Sequence, residues 1–128
     1  MKLHHLAVCV TDLERGLALY RDVLGLAVIK RWDDAEGKPR SYWLELTDGA
    51  FLAVEHASHP EPCRSDEAPG WHCLALGIPR QEREAWRGKL ERAGFAVFRE
   101  TAYTMYIRDS DGNIVGLSHY PERELAGQ

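Results

Sequence analysis

The reactive side chains of this sequence are few: six histidines, three cysteines and a scatter of carboxylates. Imidazole titrates near neutral pH and is the commonest nitrogen ligand for metals, so the histidines come first. His5 and His72 each open an apolar, alternating run, HLAVCV and HCLALG. One histidine in such a place is ordinarily a hydrogen-bonded core residue. Two at matching places keep a functional reading open beside the structural one. His4 alternates with His5 and is expected to face the other way. Cys9, Cys63 and Cys73 are odd in number and lack C-x-x-C spacing, so they read as reduced thiols. Cys9 and Cys73 lie inside the apolar runs and are expected to be small core residues. Cys63 lies in a polar loop with no neighbouring base to make it a nucleophile.

The elements that position these residues follow from pattern. Leu3 to Val10 reads as a buried strand, and Thr11-Asp12 offers a helix N-cap. Leu13, Leu17, Tyr20 and Leu24 then recur at helical spacing, and Gly25 stands where a C-cap belongs. Leu26 to Trp32, Ser41 to Leu46 and Ala50 to His56 read as strands, the last two joined by an Asp48-Gly49 turn. A proline-containing linker over 57–70 interrupts the pattern, which then restarts. Trp71 to Ile78 is a strand, Gln81 to Ala93 an amphipathic helix capped by Gly94, and Phe95 to Arg99 and Tyr103 to Arg108 are strands. An Asp111-Gly112 turn leads to the final strand, Asn113 to Tyr120. The chain therefore reads as an internal repeat of βαβββ: module 1 over 1–56, module 2 over 71–120 and a tail over 121–128. Each half is too small to bury a good core alone, so the two are expected to form one domain over 1–128.

Composition narrows the function. A chain of 128 residues, 45% hydrophobic and 28% charged, fits one globular domain. Lys and Arg total 16 against 20 for Asp and Glu, a net charge of −4. That balance argues against nucleic acid as a partner, because phosphate binding needs a basic surface. MKLHHLAVCV is too short and polar for a signal peptide, and no stretch approaches the roughly 18 apolar residues of a membrane span. The expectation is a cytoplasmic protein with no membrane partner.

The segment His5-Leu6-Ala7-Val8-Cys9-Val10-Thr11-Asp12-Leu13, with Tyr20-Arg21-Asp22-Val23-Leu24-Gly25-Leu26 after it, resembles the opening strand and helix of the vicinal oxygen chelate superfamily. Asp109-Ser110-Asp111-Gly112-Asn113 is similar to that family's D-P-D-G-N turn, with Ser110 in place of proline. The family includes glyoxalase I, fosfomycin and bleomycin resistance proteins, extradiol dioxygenases and methylmalonyl-CoA epimerase. The resemblance implies an α+β fold in which two βαβββ modules form a curved mixed-sheet cup around a central cleft. It also implies an open divalent-metal site (zinc, nickel, manganese or iron) holding a His from each module's first strand and a Glu from one or both last strands. His5 and His72 match the histidine positions. Four residues past each turn glycine, where the family places Glu, stand Ala53 and Gly116. Glu55, two residues beyond Ala53 and so on the same strand face, is the candidate displaced ligand or general base. Ser118 is its weak counterpart in the second module.

The same positions admit an apolar or aromatic ligand. A strand glycine facing a cavity often marks close approach of a ligand or of backbone. Trp43, Tyr103, Tyr106 and Gly116 are the candidate substrate-binding residues; Trp32, Tyr42 and Trp71 add aromatic surface, and Lys30, Arg99 and Arg108 offer cations for an anionic substrate. Ordinary packing is the alternative role for most of them. Two functions follow from the resemblance. One is a metal-dependent lyase, isomerase or dioxygenase acting on a small molecule; the other is a metal-free drug-binding protein of the bleomycin resistance type. Either implies a homodimer, since this family often completes its cavity with a second chain.

Overall fold

The computed structural model describes residues 1–58 and 65–122, so Cys63 and the end of the expected tail lie outside the described residues. The chain divides into two compact units, Met1–Pro62 and Cys63–Gln128.

The first unit runs β1 (His5–Val10), α1 (Leu13–Leu17), a π-helical segment (Ala18–Val23), β2 (Val28–Asp33), β3 (Pro39–Glu45) and β4 (Phe51–His56). Its sheet is ordered β1-β4-β3-β2. The first pair is parallel, with His5 beside Phe51 and Val10 beside His56, and the others are antiparallel. Asp12 caps α1 by accepting a hydrogen bond from the Arg15 amide at 3.1 Å. The helix expected as one regular rod widens after Leu17, where the Leu24 amide reaches back five residues to the Leu19 carbonyl at 2.8 Å. The wider turn brings Leu19 into the core along with Leu17 and Tyr20. Helix and sheet meet closely: a Cβ on Gly16 would stand 3.0 Å from the Val10 methyls. Asp48 and Gly49 both take positive φ, as the turn into β4 requires. Alternation then buries Val10, Leu44, Leu52 and Val54 on the helix-side face.

The second unit repeats the order: β5 (Cys73–Gly77), a 3-10 turn (Arg80–Glu82), α2 (Arg83–Arg92), β6 (Arg99–Glu100), β7 (Thr104–Arg108) and β8 (Ile114–Ser118). Its sheet is ordered β5-β8-β7-β6, again with the first pair parallel. Leu90 of α2 is buried, as are Met105, Ile107, Val115 and Leu117 of the sheet. The strand expected over Phe95 to Arg99 shrinks to the two residues of β6, although the Phe98 amide still bonds the Tyr106 carbonyl at 3.0 Å. Buried Asp109 ties the turn before β8, accepting from the amides of Asp111 at 2.9 Å and Asn113 at 2.8 Å. The architecture is α+β, two βαβββ modules each with an open four-stranded mixed sheet. No helix among the described residues is long and apolar enough to cross a membrane; a strand-built span is a separate matter.

Candidate functional site

Each sheet has one face against its helix and one face away from it, and strand alternation assigns residues to the latter. In the first unit that open face carries His5, Ala7 and Cys9 from β1, Phe51, Ala53 and Glu55 from β4, and Ser41 and Trp43 from β3. An aromatic series runs across it. The His5 ring stacks on Phe51 with centroids 4.9 Å apart and planes 7° from parallel. Phe51 stacks on Trp43 at 4.2 Å, and Trp43 meets Trp32 of β2 at 5.5 Å. Lys30 places its ammonium 4.6 Å from the Trp32 ring centre, a cation–π contact. The sequence expectation names Trp43 as a candidate substrate-binding residue; the ladder sets it on the open face beside Phe51 and His5.

Cys9 is exposed and Cys73 half-buried, so the expectation that both are core residues fails. They stand on the open faces, where no helix covers them. Tyr42 falls on the helix side with Val54, and Trp71 lies before β5, 85% exposed.

The second unit corrects more of the expected site. Gly116 pairs with Ala75 on one side and Tyr106 on the other. What approaches it closely is the chain itself: a Cβ there would stand 3.0 Å from the Thr104 methyl and 3.2 Å from the Tyr106 ring. The missing side chain at the family's Glu position is thus taken up by neighbours, not by open cavity. Tyr103 and Tyr106 are three residues apart, an odd number, and face opposite ways. Tyr106 joins the open face, with Arg99 5.0 Å over its ring. Tyr103 lies with His119 and Tyr120, its ring centre 6.2 Å and 5.1 Å from theirs. Arg108 is held by Asp66 at 2.7 Å and lies 4.1 Å over Phe98.

Register also decides which residue of the second unit answers to His5. His5 pairs with Phe51, two residues past Gly49; the residue paired two past Gly112, with Ile114, is Cys73. His72 precedes that position by one and precedes β5 itself, and it is exposed. The sequence expectation paired His5 with His72; the ladder pairs His5 with Cys73.

These placements bear on metal binding. Along β4, Glu55 is four residues from Phe51, the partner of His5, or about 13 Å at ~3.3 Å per residue. Ligands of one ion stand only ~2.0–2.2 Å from it, so His5 and Glu55 do not share one. His5 Nδ1 shares a hydrogen bond with His4 Nδ1 at 2.8 Å, so His4, expected on the opposite face, lies beside His5 just before β1 begins. Among the described residues no three His, Cys, Asp or Glu side chains form a group that could hold a metal ion. The donor set does not fit the metal centre that the family resemblance implies.

A polar cluster that the sequence left unremarked lies on the helix side of the second unit. Buried Arg83 donates to His119 Nε2 at 2.8 Å, to Glu100 at 3.1 Å and to the Thr101 carbonyl at 3.0 Å. Because Nε2 accepts, His119 is neutral with its proton on Nδ1, which meets the Glu122 carbonyl. Arg87 and then Arg83 hold the Glu100 carboxyl below the usual carboxylate range. This cluster fastens α2 to the ends of β6 and β8 rather than facing a ligand.

A family model, described as Glyoxalase/Bleomycin resistance protein/Dioxygenase superfamily, matches residues 2–117. Among solved structures, a glyoxalase/dioxygenase from Nostoc punctiforme superposes with a TM-score of 0.73 at 20% identity, covering 94% of this chain and 92% of that one. The fosfomycin resistance protein FosX from Listeria monocytogenes, solved with Mn(II) and sulfate, gives 0.73 at 14% identity, with 92% and 91% covered. An integron cassette protein from the mobile metagenome of a Halifax Harbour sewage outfall gives 0.70 at 17%, with 92% and 97% covered. At such identities the likeness is one of fold.

Proposed function

The chain belongs to the glyoxalase/bleomycin resistance protein/dioxygenase superfamily, and from that premise we propose that it binds a planar aromatic small molecule on the open face of its first sheet, without a resident metal ion. The observation that carries this is the series His5, Phe51, Trp43 and Trp32, in ring contact across all four strands. Phe51 is buried with its faces taken by His5 and Trp43. The series therefore offers a flat apolar ligand the ring edges and the exposed Trp32 indole, attracting it by edge contacts, offset stacking and area removed from water. Ala53 supports the reading: it pairs with Trp43 where the resemblance implies Glu, so no carboxylate stands on that side of the indole, while Lys30 pairs with Trp43 on the other.

The test is calorimetric titration of the protein with 1-naphthalenemethanol, before and after EDTA treatment. Saturable binding that EDTA leaves unchanged and that Trp43→Ala weakens about tenfold, the loss of roughly one stacking contact, is the expected result. Binding that requires added Mn(II), or that ignores Trp43→Ala, overturns the proposal. A metal-dependent lyase or isomerase is the second reading, favoured by His5 standing on the open face of β1. In that reading Glu55 serves as a general base apart from the ion. Its measure is the metal content of protein purified without chelator, which His5→Ala must lower.

A further inference from the structure

One rung beyond the aromatic series, the open face of the first sheet changes character. Ser41 of β3 pairs with Glu55 of β4 on one side and with Trp32 of β2 on the other, and all three side chains share that face. Ser41 is 1% exposed, and its hydroxyl has no hydrogen-bond partner. Buried hydroxyls are nearly always bonded, so one without a partner signals a group to be supplied from outside. Glu55 beside it is half-buried and enters none of the chain's ion pairs among the described residues. What sets Glu55 apart is its place: a half-buried carboxylate directly across the ladder from a buried, partnerless hydroxyl.

We infer that this rung is an anchoring subsite for a protonated amine on the ligand, with Glu55 and Ser41 accepting its N–H bonds and Trp32 and Trp43 flanking the charge. The inference rests on the ligand reading above and names the ligand's chemical class. The groups present select the charge. A carboxylate and a hydroxyl oxygen both accept, an ammonium brings three donors and no acceptor, and an anion would meet Glu55 with like charge. The indole faces act in the same sense, because the negative face of the ring attracts a cation. Trp32 already does this for the Lys30 ammonium at 4.6 Å, so Lys30 must swing away from the indole as the ligand's ammonium takes its place. Trp32 is 40% exposed on the edge strand β2, so it is the side chain that turns aside to admit the head group.

The test compares 1-naphthylmethylamine, protonated at pH 7, with its neutral counterpart 1-naphthalenemethanol, by calorimetry on the full chain. The wild type is expected to prefer the amine about tenfold or more, in line with a hydrogen bond to a charged group. Glu55→Gln is expected to bring the ratio close to one, and Ser41→Ala to reduce it by a smaller factor without loss of folded protein. Equal binding of the two compounds, or a preference that survives Glu55→Gln, overturns the inference while leaving the aromatic reading intact. Failure of both compounds to bind overturns the aromatic reading, and the inference with it.

Discussion

Gly116→Ala tests the claim that the second unit has closed over the position where the family carries a glutamate. The added Cβ would stand 3.0 Å from the Thr104 methyl and 3.2 and 3.3 Å from two Tyr106 ring carbons. Neither neighbour yields freely. Thr104 is buried and its hydroxyl donates to Ser118 Oγ at 2.8 Å, which pins its rotamer, while Tyr106 lies under the Arg99 guanidinium. Overpacking of this kind costs about 1–3 kcal/mol. Removing a strand glycine returns about 0.4–1 kcal/mol through the unfolded chain. The net expectation is a loss of about 0.5–2 kcal/mol, read as a lower urea midpoint at unchanged slope. Thr104→Ser removes the clashing methyl but keeps the hydroxyl, so Gly116→Ala should be milder in that background by at least ~0.5 kcal/mol. A stabilising Gly116→Ala, or a penalty indifferent to Thr104→Ser, would refute the packing argument. Gly116→Glu alone should then not create a metal site, since its side chain must first displace Tyr106.

Two further outcomes follow from the polar contacts. The Glu100 carboxyl is lowered by Arg87 and Arg83, so its contribution is present above the unfolded carboxylate pKa and fades as pH falls through the lowered folded value. Nearly half of that side chain faces water, at 47% exposure, which limits the contribution to about 1 kcal/mol. Glu100→Gln should accordingly flatten the acid limb of a stability–pH profile measured by urea unfolding at pH 3 to 7. Asp109→Ala strips acceptors from the amides of Asp111 and Asn113 and from the Asn113 side chain at 2.8 Å. It should destabilise by about 2–3 kcal/mol. Asp109→Asn, which keeps one acceptor oxygen, should cost less in the same assay.

Much of the architecture was legible because periodicity and turn chemistry are local. The N-cap at Asp12, the Asp48-Gly49 and Asp111-Gly112 turns and the alternating runs each state their element within a few residues. The errors came where a longer-range partner decides. The π-helical widening after Leu17 depends on what Leu19 packs against, and the shortened β6 depends on what its neighbour β7 can pair. The placement of Glu55 on the face of Ala53 was legible from strand parity; its separation from His5 along β4 was not, because it depends on pairing with β1. Tyr103 was grouped with Tyr106 as a ligand contact, yet their odd spacing sends them to opposite faces once both belong to one extended segment.

By itself, the sequence determined that there are two βαβββ modules, where their turns fall, and that Ala53 and Gly116 stand four residues past the turn glycines, where the resemblance implies Glu. Only the tertiary structure decided that Cys73, not His72, answers to His5, that the rings of His5, Phe51, Trp43 and Trp32 form one series, and that Ser41 is buried without a partner beside Glu55. The reason is strand register. Slipping a strand by one residue turns every side chain to the other face, and that choice is made by hydrogen bonds between segments far apart in the chain, where no local pattern reaches.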